Sequence, residues 1–282
     1  MAELIARGIR FHVQRLARAE AAVGPSPLVP CHPSVVFVHG LFIDNLSSLY
    51  YSLANPLAQA GADAILFDLR GHGLSDRTPA GYTLDNSVED LFGVVDGLGI
   101  DDPVHVVGHS YGASVALRAG LRHPERLAGL TLIEPHCADT DDGGSWVDDV
   151  ADALTAIALC SETLALPADD EVPAAAVRKL RAIRTANAFL NATTMIEDVA
   201  SSPRFTGAEL ADLDVPTMAV YGEHTDLRSS LAMIREAMPQ CRLEVFPEVG
   251  HSVLRDATPK VLELLIEWLG ECSDPDLEPA AS

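Results

Sequence analysis

Short continuous apolar runs recur along the chain, each broken off by glycine, proline or charge. Ser34–Val38, Ala64–Phe67, Val104–Val107, Leu130–Ile133 and Pro216–Tyr221 do not alternate and are rich in β-branched and large apolar residues. That is the pattern of strands buried on both faces. Arg242–Phe246 reads as a further strand, and residues 1–18 as two edge strands turning at Gly8. Between the strands, apolar residues recur at helical spacing over 46–60 (ending at Gly61, despite Pro56), about 84–98, Ala113–Leu121, about 229–238 and about 259–269. In the last of these Val261, Leu262, Leu264, Leu265 and Trp268 form one broad apolar face. Residues 19–34 carry Pro25, Pro27, Pro30 and Pro33 and read as a loop. Strands alternating with helices predict an α/β fold, a mostly parallel central sheet covered by helices on both faces.

The alternation stops between His136 and about Leu210, where helical stretches are separated by Gly143-Gly144, Pro167, Pro173 and Pro203. This segment is acidic on one side and apolar on the other and is expected to be a helical insertion. The expected organisation is therefore a core of residues 1–135 and 211–270, an insertion over 136–210 and a frayed tail over 271–282.

Composition narrows the function classes. A 282-residue chain with 48% hydrophobic residues buries a substantial core. Its formal charge of −22 argues against nucleic acid and anionic lipid as partners. No apolar run approaches a membrane-spanning length, and residues 1–7 lack the pattern of a signal peptide. The five cysteines are scattered with no Cys-x-x-Cys pair, as expected of reduced thiols in a cytoplasmic protein. No His, Asp or Glu cluster has metal-ligand spacing, so neither a metal nor another cofactor is expected.

The strand at Val104–Val107 runs into Gly108-His109-Ser110-Tyr111-Gly112 and then a helix. A Gly-x-Ser-x-Gly turn between a strand and a helix leaves its serine at the apex of a sharp bend with the hydroxyl exposed. A serine hydroxyl needs a base within reach. Of the ten histidines, His251 is the candidate, in the loop after the last strand and at the same sheet edge as Ser110. An acid must hold that base. Asp226, after the preceding strand, is favoured on the chain order Ser, Asp, His, and Glu134, at the end of the strand after the elbow, competes with it. Backbone N–H groups of Tyr111 and Leu41 are expected to form the anion site for a tetrahedral intermediate, with Phe42 the adjacent alternative to Leu41. The ring of His39 is expected to brace that loop.

The His39-Gly40 loop, Asp68-Leu69-Arg70-Gly71-His72-Gly73-Leu74-Ser75, the Gly108–Gly112 elbow, Tyr221-Gly222…Asp226 and Gly250-His251 come in a specific order and spacing. With them the chain resembles the α/β-hydrolase fold superfamily over about residues 5–270, specifically its cap-bearing members. The resemblance implies a Ser110–His251–Asp226 triad, an oxyanion hole from Leu41 and Tyr111, a helical cap over 136–210, and scaffold roles for Asp68 and Arg70. Two departures stand out. Haloalkane dehalogenases and epoxide hydrolases of this superfamily carry Asp at the elbow, where this chain has Ser110. The family's acid often lies three residues after the turn glycine, whereas Asp226 lies four after Gly222.

The function expected is a serine hydrolase cleaving an ester, thioester or lactone of a small, apolar acyl compound through an acyl-serine. Phe42, Trp146 and Phe189 are candidates for the substrate wall. The same residues could serve acyl transfer, cyclisation or C–C bond hydrolysis, and the scaffold can also serve as a ligand-binding module.

Overall fold

The computed structural model describes residues 2–17, 33–41, 44–138, 189, 191–250 and 252–272. Strands β1 (Ala2–Ala6), β2 (Ile9–Leu16), β3 (Val35–Val38), β4 (Ala64–Phe67), β5 (Val104–His109), β6 (Leu127–Ile133), β7 (Thr217–His224) and β8 (Arg242–Gly250) form one sheet. Its order is β1-β2-β4-β3-β5-β6-β7-β8. Strand β2 pairs antiparallel with β1 and β4, and every other pair is parallel. The short hairpin of β1 and β2 turns through Arg7 and Gly8, both at positive φ.

The central strands are buried on both faces because alternate side chains feed two cores. Val36, Val38, Ile65, Phe67, Val104, Val106, Leu130 and Leu132 pack to one side, with α3 (Leu84–Gly97) and α4 (Tyr111–Arg122). Val35, Phe37, Ala64, Leu66, Val107, Ile133, Met218 and Val220 pack to the other. That face is covered by α1 (Ser47–Leu49), α2 (Asn55–Gln59) and α9 (Thr258–Cys272).

The helical stretch expected over 46–60 forms, and the way it accommodates Pro56 is local. Between α1 and α2 lies a π-helical turn, Tyr50–Ala54, closed by the Asn55 N–H donating to the Tyr50 carbonyl. Pro56 then falls in the first turn of α2, where its missing N–H leaves no bond unmade. Strand β8 runs on to Gly250, past the expected end at Phe246, because His224 of β7 pairs with Gly250 beyond a register shift. Pro247 is tolerated there because β8 is an edge strand with one unpaired side.

After β6 the described residues include α5 (Met195–Ala200) and α6 (Gly207–Ala211). The α5 segment is tied to the core loop 79–82. Asp198 accepts from the Gly81 and Tyr82 N–H groups at 2.9 and 2.8 Å, and the Thr194 N–H donates to the Pro79 carbonyl. Two further helices, α7 (Arg228–Ala237) and α8 (Val253–Asp256), flank β8. Among the described residues no helix is long and apolar enough to cross a membrane.

The strand order reverses at β3. The chain steps from β3 to β4 on one side and to β5 on the other. A crevice opens beyond the carboxyl ends of the strands at such a switch point. Gly40 and Ser110, each two residues or fewer past its strand, stand on its two sides.

Candidate active site

Ser110 sits between β5 and α4 at φ 53 and ψ −121, a conformation that L residues adopt only under constraint. The flanking glycines supply the constraint. A Cβ on Gly108 would stand 2.3 Å from the Gly112 carbonyl oxygen, and one on Gly112 would stand 2.1 Å from the Val38 carbonyl oxygen. The elbow thus presses against the end of β3, and only glycine fits at either shoulder. The Ser110 N–H donates to the Ile133 carbonyl at 2.8 Å, pinning the apex to β6. Tyr111 opens α4, so its N–H is among the first-turn donors that have no partner within the helix.

Across the crevice, the loop after β3 is held by a chain of hydrogen bonds. His39, fully buried, donates from Nδ1 to the Gly40 carbonyl at 2.6 Å and accepts from the Leu69 N–H at Nε2 at 3.0 Å. A carbonyl can only accept and an N–H only donate, so the ring is the neutral Nδ1–H tautomer. Burial lowers its pKa in the same direction. His39 therefore braces the loop, as its sequence position suggests. The Gly40 N–H is taken by Asp44 Oδ2 at 2.9 Å. The half-buried Leu41 follows, packed against the core.

Asp68 and Arg70 hold the neighbouring loop. Asp68 accepts from the Leu46 and Leu74 N–H groups and lies 2.8 Å from His12 Nδ1, while Arg70 makes two 2.8 Å bonds to buried Asp90. A cavity of ≈ 10 Å³ lies between this loop, Leu41, Tyr111 and Met195 of α5. That is room for about one water, not for an acyl group.

The two candidate acids differ sharply. Asp226 is exposed. Glu134 is fully buried at the end of β6, at φ 53, one residue beyond the Ile133 that pairs with His109. Its carboxylate accepts from the Gly222 N–H at 2.6 Å and from the Thr225 hydroxyl at 2.5 Å. Thr225 is itself buried and stands three residues after Gly222, where the family's acid often lies. The turn closes with the Thr225 N–H donating to the Gly222 carbonyl at 3.1 Å. The end of β8 reaches the same spot, since a Cβ on Gly222 would meet the Gly250 carbonyl oxygen at 2.4 Å. The residue after Gly250 is His251.

His251, Phe42 and Trp146 lie outside the described residues. Phe189 is described and is buried against the core. Its ring lies edge-on to Tyr82 (centroids 5.4 Å apart) and His72 (6.2 Å), over Gly71. The ring thus packs against the 71–82 loop. Among the described residues Glu223, His224 and Glu248 bring ligand atoms within 4.8 Å of one another. Sequence spacing could not foresee this, because β7 and β8 bring them together. All three are exposed.

Two contributors escaped the sequence reading. Asp44 falls four residues after Gly40 and could have been suspected from an acid followed by Asn in a turn. Thr225 could have been suspected from its place after Gly222, and its partner only from the pairing of β6 with β7.

The family model described as alpha/beta hydrolase family matches residues 35–264. The chain is 36% identical over 134 residues to epoxide hydrolase 2 of Siraitia grosvenorii, which covers 46% of this chain and 36% of that protein. It is 35% identical over 148 residues to lipase LipV of Mycobacterium tuberculosis, covering 52% of this chain and 49% of the lipase. The chain thus spans half or less of the length of these curated relatives. Among solved structures, a thermophilic esterase from Thermogutta terrifontis superposes with a TM-score of 0.70 at 20% identity, covering 97% of this chain and 99% of that one. At that identity the likeness is one of fold.

Proposed function

The chain belongs to the alpha/beta hydrolase family, and from that premise we propose that it is a serine hydrolase acting on an ester, thioester or lactone of a small, apolar acyl compound. The observation that carries this reading is the strained Ser110 at the switch point, facing the loop that bears Leu41. A serine at the elbow supports an acyl-serine route over the Asp-based chemistry expected of epoxide hydrolases.

In this reading His251 takes the Ser110 proton as Oγ attacks the acyl carbonyl. The N–H groups of Leu41 and Tyr111 stabilise the oxyanion, and the α4 terminus adds its dipole. Collapse expels the alcohol or thiol, protonated by His251. A water deprotonated by His251 then attacks the acyl-serine, releasing the acid and restoring Ser110.

For the acid we favour Glu134 over Asp226. Chain order favoured Asp226, but burial and two hydrogen-bond donors support Glu134 as a carboxylate fixed in one orientation at the end of β6. The free thiols Cys137, Cys241 and Cys272 and the acidic charge support a cytoplasmic protein with a small-molecule substrate.

The test is labelling with a fluorophosphonate probe together with turnover of short p-nitrophenyl esters. Labelling at Ser110, lost in Ser110→Ala, with ester turnover is the expected result. Folded protein that neither labels nor turns over any ester would overturn the reading in favour of a binding module.

A further inference from the structure

The loop after β3 brings a carboxylate to the nucleophile. A Cβ built on Gly40 would stand 3.1 Å from Asp44 Oδ2, 3.6 Å from Ser110 Cβ and 3.7 Å from His109 Nδ1. The acid, the nucleophile and a second imidazole therefore surround one point at the mouth of the crevice. Asp44 is four-fifths buried, with His109 Nδ1 3.9 Å from its Oδ2. Burial pushes the Asp44 carboxyl up, but its interactions with the His109 ring and the Ser48 hydroxyl, among others, outweigh it and bring its pKa down to about 2. Asp44 thus carries its charge at every working pH.

The Gly40 N–H donates to Oδ2 at 2.9 Å and the Asn45 N–H to Oδ1 at 3.0 Å, so an amide oxygen would serve the Gly40 N–H but leave the Asn45 N–H without this acceptor. Among the described residues no lysine or arginine pairs with Asp44, whose ion-pair partner is the His109 ring at 3.9 Å. The carboxylate therefore faces the crevice with histidine rings beside it and no lysine or arginine ion pair among the described residues. A second anion brought to within several Å through partly desolvated space is disfavoured by roughly five- to tenfold or more, and a cation is favoured to a similar degree.

We propose that Asp44 is a specificity-determining residue of this site, a fixed anion beside Ser110 that admits neutral and cationic acyl compounds and turns away those bearing a carboxylate or sulfonate. The proposal rests on the serine-hydrolase reading above and adds the charge class of its substrate.

The test uses three acetyl thioesters that differ in the charge of the thiol released: thiocholine, butanethiol and 3-mercaptopropanesulfonate. Each is followed by thiol release in the wild type and in Asp44→Asn, which keeps an acceptor for the Gly40 N–H. In the wild type, kcat/KM is expected to fall from the cationic or neutral ester to the anionic one by about fivefold or more. In Asp44→Asn the anionic-to-neutral ratio is expected to rise, and the cationic-to-neutral ratio to fall, by about that factor. Unchanged ratios, or a uniform loss on all three esters, overturn the proposal and leave Asp44 as a loop brace.

If Asp44→Asn does not fold, the wild type is measured at about 0.5 M salt, which screens the net molecular charge but not a contact this close. A selectivity that persists supports the proposal, and one that vanishes overturns it. Wild-type protein that releases thiol from none of the esters and does not label with fluorophosphonate fails at the hydrolase reading itself, a result distinct from equal turnover of all three.

Discussion

Thr225 donates its hydroxyl hydrogen to Glu134 across the ends of β7 and β6, with Oγ1 2.5 Å from Oε2. The residue at the family's usual acid position thus serves a carboxylate on the neighbouring strand. If Glu134 holds His251, Glu134→Gln should lower kcat by about a thousandfold or more, because an amide cannot stabilise the imidazolium. Asp226→Asn, at an exposed position, should change kcat by less than about twofold. Steady-state kinetics on a short p-nitrophenyl ester decide between them, with fluorophosphonate labelling rates as a second readout. Loss in Asp226→Asn alone would return the acid to Asp226.

The same bond predicts a graded effect at Thr225. Thr225→Val keeps the shape but removes the donor, leaving the buried Glu134 with one partner fewer and costing about 1–3 kcal/mol of stability. It should also lower kcat by about tenfold with little change in KM, since the carboxylate loses one of the groups that orient it. Thr225→Ser restores the hydroxyl and should recover most of the rate. A Thr225→Ser variant as impaired as Thr225→Val would point to packing in place of hydrogen bonding.

What the sequence made legible was what depends on local pattern. The buried strands announced themselves as unbroken apolar runs, and the elbow as two glycines around a serine between a strand and a helix. The relationships that depend on which strand lies beside which were not legible. Glu134 meets Thr225 because β6 pairs with β7, a contact between residues far apart in the chain. Chain order favoured Asp226, one residue after Thr225, with Glu134 as its competitor. Asp44 escaped notice because only the fold brings its loop to Ser110 and His109. The helical stretch over 46–60 was legible despite Pro56, and the π turn that precedes this proline was not.

The elbow glycines give a prediction about stability. Gly112→Ala would drive a Cβ to 2.1 Å from the Val38 carbonyl oxygen and 2.6 Å from that of His39. Both neighbours are backbone atoms of the sheet and its loop and cannot move aside cheaply. A loss of about 3 kcal/mol or more is expected, read as a lowered Tm or insoluble protein. Gly270→Ala is the contrasting control. It lies in α9, and a Cβ there meets nothing within 4 Å. Alanine at Gly270 should stabilise the fold by about 0.5–1 kcal/mol through its higher helix propensity.

Two buried histidines set the acid limb of stability. Burial holds His105 at about 3 and His72 at about 4, both below the ordinary 6.5. The folded state therefore keeps these rings neutral while the unfolded chain protonates them as pH falls below about 6.5. Below that pH the unfolded state binds more protons, so stability falls with pH and levels off only below the folded values. Asp44 adds a loss at lower pH, because its folded pKa of about 2 lies beneath its ordinary 3.8 and protonation cancels its stabilised charge. His105 is the cleaner probe, since its ring lies within β5 and its Nε2 meets the Thr131 hydroxyl at 2.9 Å. Replacing it by Gln removes one titrating ring, so ΔG of unfolding plotted against pH between 6 and 4 should lose up to about 1.4 kcal/mol per pH unit of slope. Urea titrations at several pH values give that slope directly. A His105→Gln slope equal to that of the wild type would mean that His105 is already protonated in the folded protein.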